Sequence, residues 1–171
     1  MATAPGSAAS PTAAYDLPLR VSARTDYAIR ALTEMAASDG RPITAQRISR
    51  AQAIPPRFLL NILADIRRAG LVRNHRGRAA GYVLARPPAA ITLAEIIRVI
   101  EGDLSTVHEA APEEISYLGA EPLRDVWLAV RSSLSTVLGS VTLADVARGT
   151  LPRAVQVLAG QPDPASQSAS P

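Results

Sequence analysis

Residues 73–82 read RNHRGRAAGY, with Arg73, His75, Arg76 and Arg78 inside six positions, followed by small residues and Tyr82. Guanidinium groups crowded this closely repel one another unless an anion lies within reach of several at once. Phosphate suits them, because its oxygens accept the forked N–H donors bidentately. The tip around Gly77 is too small in side chain to bury anything, so the segment reads as a projecting ribbon. A solvated charge run has the same composition. The ribbon's position in the chain decides between the two.

A second set of candidates precedes it. In PPRFLLNILADIRRA, residues 55–69, Phe58, Leu59, Ile62, Leu63 and Ile66 recur at helical spacing and are predicted to form the buried face of one helix. Arg57, Leu60, Asn61 and Ala64 then face away. Arginine can bond guanine bidentately, asparagine can do the same for adenine, and leucine can meet a thymine methyl group. Each also has a plainer role: Arg57 holding a phosphate, Asn61 solvated, Leu60 packed on the neighbouring turn. Arg67 and Arg68, near the helix end, suit the negative pole of its dipole. A basic ribbon directly after such a helix favours contact with a phosphate backbone or the minor groove of a duplex.

Other chemistry is poorly supplied. The 171 residues contain no cysteine, which excludes disulfides, thiolate nucleophiles and sulfur-held metals from this chain. The two histidines, His75 and His108, have no evident catalytic partners, and neither a triad-like grouping nor a glycine-rich phosphate loop occurs. An enzyme is not expected, nor a cofactor or metal. No apolar run approaches the roughly 18 residues of a membrane span, and MATAPGSAAS lacks a signal-peptide pattern, so a cytoplasmic protein without a membrane partner is expected.

The net charge of +3 conceals an asymmetry. Residues 1–90 hold 13 arginines against 5 acids, a balance of +8, and residues 91–171 hold 5 arginines against 10 acids, a balance of −5. The basic half faces an anion. Use of arginine for every basic residue is in part a compositional habit.

The elements that must position these groups are marked by caps and periodicity. With 47% apolar and 4% aromatic residues, aliphatic helix faces must supply most of the core, so a mainly α fold is predicted. A first helix is predicted after Ser22, burying Tyr27, Ala28, Ala31, Leu32 and Met35 and ending at Gly40. A second, short helix follows Thr44, with Ile43 and Ile48 as a hydrophobic staple. After AQAIPP comes the helix described above, stopped by Gly70. Leu71–Arg76 and Gly81–Ala85 are predicted as two strands joined by GRAA. ITLAEI, with Thr92, Glu95, Ile91 and Ile96, opens a fourth helix running to about Gly102, and VTLADV at 141–146 repeats the device for a short last helix. Between them a helix over 122–138 carries Leu123, Val126, Val130, Leu134 and Val137 at intervals of three and four, with Trp127 beside them. Such a seam requires a partner helix.

Short helix, turn, apolar-backed helix and basic ribbon, in that order, make a winged helix-turn-helix with a two-stranded wing. The chain resembles the Rrf2 family of transcriptional regulators in LRVSARTDYAIRAL, IPPRFLLNILADIRRAGLVRNHRG, GYVLARPP, ITLAEIIRVIEG and VTLADV, over roughly residues 19–148. The resemblance implies a homodimer that binds palindromic operator DNA, acting as a repressor, with the helix over 122–138 crossing its mate. The implied organisation is a disordered extension over 1–18 or a start site placed too early, a DNA-binding part over 19–90, effector and dimerisation helices over 91–149, and a mostly disordered tail over 150–171.

Departures from the family pattern matter. Members commonly carry glutamate where this chain has Leu60, and a tip of the form RGPGGGY where it has RGRAAGY: Arg76 and Gly77 match, Arg78, Ala79 and Ala80 do not. Loss of an acceptor for cytosine amino groups and gain of Arg78 predict less selective, more salt-sensitive binding. Many members hold an iron–sulfur cluster through three cysteines in the segment corresponding to 103–120. Here that segment offers only His108, Glu109, Glu113 and Glu114, and cluster iron is ordinarily held by thiolates. A small molecule or a protein partner is the expected effector. The alternative is a protein-interaction adaptor that keeps the fold without sequence-specific DNA binding, suggested by Leu60 and the altered tip.

Overall fold

The computed structural model describes residues 21–77, 80–102 and 118–160. Its elements are α1 (Ala23–Ala36), α2 (Ala45–Gln52), α3 (Pro56–Arg68), β1 (Val72–His75), β2 (Gly81–Leu84), a 3-10 turn (Pro88–Ala90), α4 (Leu93–Glu101), α5 (Pro122–Ser140), α6 (Leu143–Arg148) and α7 (Arg153–Leu158). The fold is mainly helical with a two-stranded antiparallel sheet, as the patterning predicts.

Helix α1 is the hub. Ser22 caps it by accepting a hydrogen bond from the Thr25 amide at 3.1 Å, and Ala28, Ala31, Leu32, Met35 and Ala36 form its buried face. Against that face lie α2, α3, α4 and α6. The small alanines let the neighbouring helices approach, and the larger aliphatics fill the space between them. Leu32, Ile48, Leu59, Ile66, Leu71, Ile91, Ile96 and Leu143 are fully buried in one cluster. Ile43 and Ile48 are both buried around the Thr44 cap, whose hydroxyl accepts from the Arg47 amide at 3.2 Å.

Two strand pairings close the structure. In the wing, Val72 faces Leu84, Arg73 faces Val83, Asn74 faces Tyr82 and His75 faces Gly81. Ile43 adds a third rung from outside the ribbon: its amide donates to the Tyr82 carbonyl at 3.0 Å, and the Tyr82 amide returns the bond at 2.8 Å. The wing is thereby fixed to the segment that introduces α2. Elsewhere, the repeated I/V-T-L segments pair with each other. The Leu93 amide donates to the Val141 carbonyl and the Leu143 amide to the Ile91 carbonyl, both at 2.9 Å, around a Thr92–Thr142 bridge.

Several expectations are corrected in detail. Of the two I/V-T-L segments, only Thr142–Asp145 forms a reciprocal capping box. At α4 the Thr92 hydroxyl caps the Glu95 amide, but the Glu95 carboxylate pairs with Arg86 instead of reaching back. Helix α6 is not the last, because α7 follows from Pro152 within the stretch expected to be a mostly disordered tail. Helix α1 ends at Ala36, short of Gly40.

Glu101, the last residue of α4, accepts from the hydroxyls of Ser22 and Thr25. Thr25 is the buried polar residue of the described core. These two hydrogen bonds hold the Glu101 carboxyl below its usual pKa against the opposing effect of desolvation, with a lesser contribution from Arg24.

Gly81 fits where a side chain would not. A Cβ there would lie 2.7 Å from the Ile43 carbonyl oxygen and 2.9 Å from its carbon, both backbone atoms of the third rung. Gly81→Ala is expected to destabilise the fold by about 1–3 kcal/mol through overpacking against atoms that cannot rotate away. Urea unfolding of the two proteins side by side measures this, and an unchanged midpoint would contradict the close approach.

Candidate nucleic-acid interface

The orientation of α3 follows from its buried stripe. Leu59, Ile62, Leu63 and Ile66 are buried, which turns Arg57, Leu60 and Asn61 to solvent and leaves Ala64 half-buried between them and the core. Leu60 is 52% exposed. The turn joining α2 to α3 is held by the left-handed Ala53 (φ 51°) and by Ser49, whose hydroxyl donates to the Ile54 carbonyl at 2.7 Å. Pro55 and Pro56 then start α3 at a defined angle.

Phe58, expected in the core, is instead 59% exposed. One residue turns the helix by about 100°, so Phe58 sits at the margin of the stripe rather than within it. It lines a surface cleft of about 340 Å³ with Arg24, Asn61, Ala64, Asp65 and Arg68. On the opposite flank of α3, Leu60 lines a second cleft, of about 420 Å³, with Gln46, Ser49, Arg50 and Pro56. The outward face of α3 therefore has two borders, one at the N-terminus of α1 and one along α2. Sequence periodicity points to neither Arg24 nor the exposed Arg47 and Arg50 of α2. The position of α2 directly before α3 is the signal that would have found the latter pair.

In the wing, Arg73, His75, Arg76 and Gly77 are all exposed, and Arg78 lies outside the described residues. Gly77 takes φ 118°, a backbone region that favours glycine, at the start of the tip. Charge pairing separates the arginines into two groups. Arg24 and Arg68 both pair with Asp65, Arg30 with Asp26, Arg86 with Glu95, and Arg148 with Asp145. Among the described residues no carboxylate pairs with Arg47, Arg50, Arg57, Arg73 or Arg76, nor with Arg41, Arg67, Arg98 or Arg124, so the exposed arginines of α2, β1 and the start of α3 keep their positive charge.

A helix about 10–12 Å across matches a major groove about 12 Å wide, and a basic ribbon beside it lies along the duplex flank. The helix-turn-helix, the wing and their unpaired arginines define a DNA-binding protein of the winged helix-turn-helix class. The Rrf2 family model, described as an iron-dependent transcriptional regulator, matches residues 21–149. The chain belongs to the Rrf2 family of DNA-binding transcriptional regulators, which are not enzymes. Rv1287 of Mycobacterium tuberculosis, named as an HTH-type transcriptional regulator, is 44% identical over 143 residues, covering 82% of this chain and 89% of that one. CymR of Bacillus subtilis is 33% identical over 133 residues, covering 77% and 92%. The solved structure of CymR, titled the global cysteine regulator of B. subtilis, superposes with a TM-score of 0.67 at 32% identity over 78% of this chain and 99% of that one. T. potens IscR superposes with a TM-score of 0.61 at 34% identity over 77% and 88%.

The family description implies iron, and the donors present do not fit a cluster. Thiolates hold such iron and the chain has none. Among the described residues no three carboxylate or imidazole groups converge on one point. His108, Glu109, Glu113 and Glu114 lie outside the described residues.

Burial predicts opposite outcomes for adjacent residues of α3. Leu59→Ala should cost about 2–5 kcal/mol as a cavity in the core, whereas Phe58→Ala and Leu60→Ala should stay within about 0.5 kcal/mol of the parent as surface changes. Thermal unfolding of the three variants tests the rotation of the helix directly. A large loss at Phe58 would mean that α3 is turned differently.

Proposed function

We propose that the chain is a homodimeric repressor that binds a palindromic operator, with Arg57, Leu60 and Asn61 meeting base edges and Arg73, His75, Arg76, Gly77 and Arg78 lying against the backbone or minor groove of the flank. The observation that carries this reading is the unpaired positive face: Arg57, Arg73 and Arg76 are exposed on adjoining elements and free of carboxylate partners among the described residues. In this arrangement Arg57 and Asn61 supply bidentate donors for purines, and Leu60 supplies apolar contact for a thymine methyl group. The wing arginines supply affinity without sequence information.

Dimerisation is supported by the state of α5. This 19-residue helix has no buried residue, and Leu123, Val126, Trp127 (36% exposed) and Val130 (44% exposed) present apolar surface on it. Leu134 and Val137, further along, are half-buried, where α5 passes α4. Large side chains exposed at three- and four-residue intervals lose contact with water only against another helix, and a second copy of the same helix supplies the matching seam. Two recognition helices related by that twofold would then meet two half-sites of a palindrome. The input is proposed to be a small molecule or a protein partner that favours one spacing of the recognition helices over another. The absence of cysteine from the chain supports an input unconnected with a thiolate-held cluster. No helix among the described residues is long and apolar enough to cross a membrane, and the proposed location is the cytoplasm.

Fluorescence anisotropy on a duplex from the region upstream of the chain's own reading frame, against a random duplex of equal length, tests the DNA reading. Asn61→Ala should weaken operator binding by about 1–3 kcal/mol and relax one base position, while Arg76→Ala should weaken both duplexes evenly and lower the salt slope by about one. Operator binding no tighter than random binding would favour the adaptor reading, for which exposed Leu60 is the motive.

The seam is tested separately. Val130→Glu should convert the dimer to a folded monomer by light scattering, because a charge in a desolvated seam is costly. A dimer that persists would place the interface elsewhere.

A further inference from the structure

Arg24 and Arg68 form a pair at the α1 border of the interface. Asp65, on the flank of α3 next to Phe58, has a largely covered side chain and holds two guanidinium groups at once. One belongs to Arg68, a turn further along α3, and the other to Arg24, on the first turn of α1. Their side chains are 74% and 50% exposed respectively, and both line the cleft that contains Phe58 and Asn61. An aspartate satisfies only part of the donor set of two arginines, each of which carries five N–H groups in a fixed fork. The cluster therefore keeps outward-facing donors and a net charge of one.

We propose that Arg24 and Arg68, oriented by Asp65, grip a DNA backbone phosphate on the side of the major groove opposite α2. The inference rests on the proposed docking of α3 in the groove. A helix that fills a groove about 12 Å wide brings both of its borders against phosphate strands. The Leu60 border has the exposed Arg50 of α2 for one strand. The Phe58 border has only this cluster for the other: among its lining residues, Arg24 and Arg68 are the cations. Phe58 adds an apolar surface at the level of the sugars. Asp65 is a positioning residue here. It removes rotamer freedom from two long side chains before the phosphate arrives, and so lowers the ordering cost of the contact.

The same cluster would also serve a purely structural purpose, tying α1 to α3, and the test separates the two. Binding of the full chain to a labelled random-sequence duplex is followed by anisotropy between about 50 and 200 mM salt, a range over which phosphate contacts dominate the affinity. Arg24→Gln and Arg68→Gln should each lower the slope of log affinity against log salt by about one, as expected for one lost phosphate contact. Asp65→Asn, which breaks the ion pairs and keeps both positive charges, should leave the slope at the parent value or above it. Thermal unfolding of each variant shows that the comparison is made on folded protein, and the highly exposed Arg68 serves where Arg24→Gln proves unstable.

Slopes unchanged in both arginine variants would overturn the inference while leaving the DNA reading intact. So would a fall in Asp65→Asn equal to theirs, because the cluster would then act through the fold. A parent protein that fails to bind duplex at the lowest salt would overturn the inference together with the reading on which it rests.

Discussion

The rotation of α3 about its own axis governs everything the molecule can do. Four aliphatic side chains, Leu59, Ile62, Leu63 and Ile66, are buried against the rest of the core, and no other rotation would keep all four out of water. Each buried side chain of this size contributes about 1.5–3 kcal/mol, so the stripe outweighs any preference of the opposite face. Arg57 and Asn61 are directed outward by what the core demands, and their own interactions within the chain are negligible. The outward face of α3 is therefore set by the core alone. The wing follows from the same constraint, since Leu71 and Val72, immediately after α3, are buried and start β1 from a fixed point.

Much of this was legible because helix caps and apolar stripes are local signals. Ser22, Thr44, Thr92 and Thr142 each cap the helix that follows, and the wing strands fall where glycine and arginine bracket them. The failures share a different cause. Phe58 adjoins Leu59 in sequence, and periodicity alone does not say where a stripe about 100° or more wide ends. Glu95 has the right spacing for a reciprocal capping box, but Arg86 offers its carboxylate a charged partner from outside the helix. Helix α7 is six residues long and opens at a proline without a side-chain cap, so composition around it dominates the reading. The pairing of Arg24 with Asp65 spans 41 residues and has no sequence pattern at all.

The charge asymmetry also acquires a physical meaning once contacts are known. The acids of the second half could in principle neutralise the basic first half, which would leave no surface for nucleic acid. Three of those described, Glu95, Glu101 and Asp145, are engaged away from α3 and the tip of the wing. Glu95 holds Arg86 at the base of the wing, Asp145 closes the α6 cap and lies near Arg148, and Glu101 accepts from Ser22 and Thr25. Asp145 and Glu101 are both held below their usual pKa chiefly by hydroxyl hydrogen bonds rather than by arginine, so local polar contacts keep these charges in place. Glu101 fastens α4 to α1, Glu95 holds the segment after β2, Asp145 closes its own helix, and Arg57, Arg73 and Arg76 are left without carboxylate partners among the described residues.

This division of labour bears on the absence of thiolates from the chain. A metal site that supported the fold could not be discarded without a replacement, because binding energy at a structural site is folding energy. Here the core is aliphatic throughout, and the Thr92–Thr142 bridge joins the segments on either side of residues 103–117 through backbone hydrogen bonds that require no side chain from between them. The Ser22 and Thr25 bonds to Glu101 fasten α4 to α1 just before that segment begins. Among the described residues, the packing of α1 to α4 and the base of the wing draws on no side chain from 103–117. The chain has no cysteine, and the outward face of α3 is set by aliphatic burial alone.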